Sequence, residues 1–91
     1  MILGFRDGWL EHFYSHDERS KRIPVEIEER LFRKLQLIDD ATNDLDLRTP
    51  PSNHFERLKG KLEGRHSIRV TSRWRLIFEW NGRRGGLECL T

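Results

Sequence analysis

Hydrophobic and polar positions change rhythm near the middle of this chain, from helical spacing to strand alternation. In the first half Ile27, Leu31, Leu35 and Ile38 recur every three or four residues. That spacing lines up one face of an α-helix. Pro24 stands just ahead of the stripe, where its missing N–H is not needed. Glu26, Glu28 and Glu29 fall in the first turn, where the helix dipole favours negative charge. The pattern predicts a helix from Pro24 to Ala41, with Glu29, Arg30, Arg33 and Lys34 on the side away from the core. Upstream, Ile2 to Phe5 predicts a short strand weakened by Gly4. Asp7 to Tyr14 predicts a helical turn that packs Trp9, Leu10 and Phe13, and His16 to Arg22 a polar connection. Thr42 to Arg48 is polar, with one short helical turn around Leu45 and Leu47.

The second half alternates. Pro50-Pro51-Ser52-Asn53 is a rigid loop, because two prolines fix φ and deny helix continuation. Phe55 to Leu58 predicts a strand and Lys59-Gly60-Lys61 its turn. Ser67 to Thr71 and Arg75 to Trp80 form the clearest strand pair. Asn81-Gly82 and Gly85-Gly86 bracket another turn before a last strand, Leu87 to Leu90. Ile68 and Val70 share a strand face with His66, while Trp74, Leu76, Phe78 and Trp80 share a face of the next. Both apolar faces must meet the helices, and a register with Val70 opposite Leu76 achieves this, Ser72-Arg73-Trp74 being the connection. Ser67, Arg69, Thr71 and Arg75 then lie together on the opposite face, with Arg75 facing Thr71 and diagonal to Arg69.

Charge sharpens this division. Residues 1–49 carry eight Lys/Arg against eleven Asp/Glu, and residues 50–91 carry nine against four. The halves are thus −3 and +5, summing to the overall +2. A basic working surface backed by an acidic helical layer fits this split, and so does a solvated surface with unevenly placed acids. Within Pro50–Trp80, seven Lys/Arg stand against three acids. Paired arginines on a rigid sheet face bind phosphate with fixed geometry; a solvated strand face is the competing reading.

The length, 91 residues, makes one small domain spanning 1–91. A single cysteine, Cys89, permits no intrachain disulfide, and no Cys/His set has zinc spacing, so neither metal nor cofactor is expected. No apolar run approaches the roughly twenty residues of a membrane span, and MILGFRDGW lacks a signal peptide's basic flank and long apolar centre. The expectation is a reduced, cytoplasmic protein that meets no membrane. His66 is expected in the packed face, and His12, His16 and His54 at the surface. Trp74 and Trp80 alternate with core residues, Cys89 reads as a small strand residue, and Arg83-Arg84 as a solvated turn.

The ordered set PPSNHFERLKG, GRHSIRV and RWRLIFEW resembles HigB-type toxins of the RelE/ParE superfamily from bacterial toxin–antitoxin pairs. In that family a double-proline–Asn segment precedes an L-K-G motif, followed by S-I-R-[IV] and W-R-[IL]-x-F-x-W strands. Upstream, RKLQLIDDATNDLDLRTPP is similar to the family's R-K-L-x-x-[IL]-D-x-A-x-x-L-x-D-L-R-x-P-P. The resemblance runs from about Ile2 to the last strand. It implies an α+β, RelE-like fold: two N-terminal helices on one face of a small, twisted, mostly antiparallel sheet whose other face binds RNA. It also implies a ribosome-dependent mRNA endoribonuclease (mRNA interferase). Expected partners are the ribosome, mRNA and a HigA-like helix-turn-helix antitoxin, with operator DNA met only through the antitoxin complex. Lys59 matches the lysine of the L-K-G motif and Arg75 the arginine after tryptophan. Glu56 lies where some relatives place a histidine that assists the reaction. These three are the expected catalytic residues. Arg57, Lys61, Arg65, Arg69 and Arg73 are the expected RNA contacts. The other functional readings are a catalytically inactive binding module held by antitoxin and a ParE-like inhibitor of a protein such as gyrase.

At its end the chain departs from the family's pattern. Relatives close with a strand like V-E-[IV]-V-D-Y-H, where an aromatic ring stacks on a base and a polar group moves a proton. Here Leu87-Glu88-Cys89-Leu90-Thr91 occupies that stretch, with Thr91 at the aspartate position. The expectation is binding of RNA or antitoxin with weak or no cleavage. A ribosome-dependent cleavage assay checks it: the chain as written should fall well below a version extended by Asp-Tyr-His, and equal rates refute the idea.

Overall fold

The structure is a computed structural model that describes residues 2, 4–60, 64–79 and 88–90. Expectations for Lys61, Trp80, the turn through Arg83-Arg84, Leu87 and Thr91 lie outside the described residues. The chain forms α1 (Gly8–Ser15), α2 (Glu28–Asp40) and α3 (Asp44–Arg48), then β1 (Glu56–Arg57), β2 (Arg65–Arg69), β3 (Arg75–Glu79) and β4 (Glu88–Leu90). The strands lie in the order β1-β2-β3-β4, and every neighbouring pair is antiparallel. This is the α+β architecture expected, with a third short helix where the turn around Leu45 and Leu47 was predicted.

The apolar stripe of α2 does what its spacing demands. Leu31, Leu35 and Ile38 are fully buried and join Leu10 and Phe13 of α1 and Ile68, Val70, Leu76 and Phe78 from the sheet in one cluster. Trp9, Phe32, Phe55 and Trp74 pack around its edge. The helix itself opens later than Pro24. That proline has ψ 139°, an extended value, so Val25–Ile27 form a 3-10 turn before α2 begins at Glu28. The helix stops where expected, as Ala41 turns extended while its N–H still reaches the Leu37 carbonyl.

Polar side chains join these elements. Asp39 at the end of α2 accepts the Ile2 N–H at 2.7 Å and the Tyr14 hydroxyl at 2.8 Å, tying the N-terminal segment and α1 to α2. Among the described residues of the predicted opening strand, Ile2 and Phe5 make isolated bridges only. The Asp39 carboxylate has taken the amide that a ladder would use, and Gly4 adds entropy to any extended run. At α3, the Asn43 side chain accepts the Asp46 N–H, while the Asp46 carboxylate accepts from the Thr42 N–H and hydroxyl. This reciprocal arrangement resembles a capping box. The Thr42 backbone N–H, then its hydroxyl, hold the Asp46 carboxyl below the usual carboxylate range.

The hairpin register differs from the expected one by two residues. Ile68 pairs with Leu76 and Arg69 with Arg75, and Val70 donates to the Trp74 carbonyl at 2.8 Å. Thr71, Ser72 and Arg73 therefore form the loop. The Thr71 hydroxyl accepts the N–H groups of both Arg73 and Trp74, which favours a turn that begins at Thr71. A two-residue shift leaves every side chain on its expected face, whereas a one-residue shift would have reversed them all.

Leu35→Ala is expected to destabilise the fold by about 2–5 kcal/mol, since it deletes buried volume with no exposed route for relaxation. Leu45→Ser, at an exposed position, should change stability by less than about 0.5 kcal/mol. Urea unfolding midpoints at constant slope check both.

Candidate functional site

Three strands converge on one polar row. Glu56 of β1 faces Ser67 of β2, which faces Ile77 of β3, while Arg69 and Arg75 are directly opposed one step along. Directly opposed residues on antiparallel strands point to the same face, so these side chains share the sheet surface away from the helices. Arg75 rises from a strand flanked by β2 and β4, next to buried Leu76 and Ile77. From there its Nη1 donates to the Glu56 carboxylate at 3.1 Å and to the Ser67 hydroxyl at 3.2 Å. Ser67, expected as part of an open face, is almost completely buried.

The pair sets the chemistry of Glu56. Hydrogen bonding from Arg75, then its positive charge, holds the Glu56 carboxyl below the usual carboxylate range. Glu56 is therefore ionised and weakly basic while Arg75 grips it. The side chains of Arg75 and Glu56 are 36% and 49% exposed, so solvent screens the pair and its stability contribution is at most about 1 kcal/mol. An incoming anion can exchange with the carboxylate at small cost.

The other expected site residues divide. Arg69 sits directly opposite Arg75, closer than the diagonal relation expected. Arg65 faces Glu79 at the far end of the same strand pair. Lys59 is exposed just beyond β1, where the Leu58 N–H still reaches the Arg65 carbonyl at 2.9 Å and Gly60 turns the chain at φ +72°. Arg57, an expected RNA contact, lies on β1 beside Glu56. It pairs with His66, so strand alternation sends it to the opposite side of the sheet from Arg75. Arg73 is exposed in the β2–β3 loop. Lys61 lies outside the described residues. His66 stacks on Phe55 with centroids 5.1 Å apart, and Trp74 packs against the core, both as alternation implied. His54 is exposed, in the left-handed region at φ 45°.

The sequence reading missed the buried amide that holds the proline loop. Asn53 is fully buried, and its Nδ2 donates to the carbonyls of Leu47 at 3.1 Å and Thr49 at 3.2 Å. Its Oδ1 accepts from Lys34 Nζ on α2. Burial, then repulsion from Arg30, lower the pKa of Lys34 from its ordinary value. Lys34 was expected on a solvated helix face; Asn53 draws it inward. Asparagine after proline and serine looks like any turn residue, and only the fold shows that this one spans three segments. Nearby, the Arg48 guanidinium lies 5.5 Å over the Phe55 ring. Among the described residues no group of three or more His, Cys, Asp or Glu is placed to hold a metal, and no helix is long and apolar enough to cross a membrane.

Comparison with known proteins gives this site its context. Residues 3–86 match the family described as HigB-like toxin, the RelE-like toxin of the type II toxin–antitoxin system HigB. The chain is 54% identical over 80 residues to Toxin HigB-1 of Vibrio cholerae serotype O1, covering 88% of this chain and 84% of that protein. It is also 41% identical over 76 residues to a Haemophilus influenzae protein described as uncharacterized, covering 84% and 75% of the two.

Asn53→Ala should cost about 2–4 kcal/mol, because it strips buried carbonyls and a half-buried ammonium of their partner. Asn53→Ser should recover little of this, since its shorter side chain cannot span all three partners. Thermal unfolding of the two variants checks the bridging role.

Proposed function

The chain belongs to the HigB-like, RelE-like toxins of type II toxin–antitoxin systems, and from that premise we propose that it is a ribosome-dependent mRNA endoribonuclease. As the toxin of such a pair it has an antitoxin for a partner. We take that partner to be a HigA-like helix-turn-helix protein through which alone the toxin meets operator DNA, and we place the toxin's action in the cytoplasm, at the ribosome. The observation that carries the catalytic reading is the contact of Arg75 with a half-exposed Glu56 on the sheet face away from the helices.

In this reading an RNA phosphodiester enters against Arg75 and takes over the guanidinium's hydrogen bonds. Fixed cations stabilise the charge that develops on the phosphoryl oxygens without reorganising. Losing Arg75 raises the proton affinity of Glu56 and makes it a better base. Glu56 then accepts the proton of the 2′-hydroxyl as that oxygen attacks phosphorus. The new O2′–P bond closes a cyclic phosphate, the P–O5′ bond breaks, and the 5′-oxygen leaves as a hydroxyl after taking a proton from water. Lys59, on the adjoining turn, adds positive charge beside the phosphorane. Arg69, opposite Arg75, and Arg65 along the same face hold the flanking backbone. Arg57, on the reverse side, is not assigned to this path.

In a ribosome-dependent cleavage assay, Arg75→Ala is expected to slow mRNA cleavage about 10²–10³-fold. Glu56→Gln should slow it about 10²–10⁴-fold and remove the fall in rate at low pH. That fall follows from sign: the base works above its pKa and is lost as pH drops through it, and the bound RNA decides where. Wild-type rates in both variants, or arrest through a protein target with mRNA intact, refute the proposal.

A further inference from the structure

The strongest feature not used by that reaction is a cationic cavity on the α2 side of the β2–β3 turn. It has a volume of about 600 Å³ and is lined by Arg30, Arg33 and Lys34 of α2, Ser52 and His54 of the proline loop, and Arg69. Thr71 and Ser72 of the turn add hydroxyls, and among the described residues no carboxylate belongs to the lining. We propose that this cavity is a second phosphate site, which seats an RNA backbone phosphate flanking the one that reacts at Arg75. The proposal rests on the endoribonuclease reading and adds where the substrate chain is held.

Several independent features favour a phosphate. First, positive charge is concentrated along the described lining. Arg33 does pair with Glu29, but both side chains are more than two-thirds exposed, so that pair is weak and readily exchanged. Second, the Nε of Arg69 is buried and meets no acceptor among the described residues, an unusual state for a guanidinium. Third, Lys34 is half-buried beside Arg30, whose repulsion disfavours its charge. An anion in the cavity offsets the repulsion between Lys34 and Arg30. Guanidinium forks together with hydroxyls form a donor-rich lining suited to phosphate oxygens. Only Leu37, Pro50 and Val70 are apolar there, too little for the buried anchors on which a docked protein segment depends.

Position gives the site its meaning. Arg69 lines the cavity and stands directly opposite Arg75 in the hairpin. The backbones of these two arginines are one strand spacing apart, roughly 5 Å. A single strand of RNA that presents one phosphate to Arg75 passes Arg69 on its way to α2. Asn53, by holding both Lys34 and the proline loop, keeps the two walls of the cavity at a set distance.

The test uses the full chain and a short 2′-O-methyl oligoribonucleotide, which binds but cannot be cleaved. The double variant Arg30→Gln/Arg33→Gln removes exposed cations, and its thermal midpoint is measured to establish folding. Its RNA affinity should fall about tenfold. The slope of log affinity against log salt should flatten by about 0.7, the share of one phosphate on a single strand. An affinity and slope equal to wild type overturn the proposal. So does a variant that keeps RNA but loses a glutamate-rich peptide, which assigns the cavity to an acidic protein segment. Arg75→Ala cleavage is scored separately, so failure at the cavity leaves the reaction standing, and failure of cleavage with RNA still held by Arg30 and Arg33 strikes only the reaction.

Discussion

The polar surface of this protein depends on one buried pair, Ile68 against Leu76. Both residues are completely buried and directly opposed in the central hairpin. Side chains alternate along strands, so pressing this pair onto Leu31 and Leu35 forces Arg69 and Arg75 out on the other side. A slip of one residue would bury two guanidiniums and expose the core, and burying unpaired charge costs far more than the hairpin could recover. The site is therefore positioned by hydrophobic burial on the reverse of the sheet, without a dedicated scaffold of its own.

That dependence explains what the sequence made legible. The stripe Ile27–Ile38 and the alternation through Phe78 are periodic, and periodicity survives without knowledge of tertiary contacts. The face carrying Arg69 and Arg75 was readable for the same reason, even though the register was two residues out. Turn geometry decided the register, through a threonine hydroxyl whose two amide contacts no pattern encodes. The face that Arg57 takes was not read in advance, because its strand is only two residues long, too short for alternation to show. Asn53 and Lys34 could not be paired in advance, since nineteen positions separate them and neither breaks its local pattern. The family motifs marked Lys59, Arg75 and Glu56 as a set, but the grip of Arg75 on Glu56 is a matter of geometry alone.

Electrostatics divides the molecule into two basic regions of different character. On the sheet face a cation is satisfied by an acid and must exchange it. In the cavity beside α2, cations crowd together around hydroxyls, with no acid among the described lining residues. The first arrangement suits a group that must change protonation during a reaction; the second suits a group that only binds. Arg69 touches both, and its opposition to Arg75 makes the two regions neighbours.

The Glu56 side chain stands on β1, an edge strand of two residues, and is about half exposed. Arg75 instead grows from a strand paired on both sides and flanked by buried neighbours. Replacing residue 56 disturbs no core packing, whereas the backbone around residue 75 cannot move without moving the core. The two halves of the site therefore differ in how freely they can be rewritten by mutation. The proton-handling position can be exchanged for another side chain while the fold keeps its phosphate-binding cation in place. A scaffold built in this way lets its chemistry drift at the rim and hold steady at the centre.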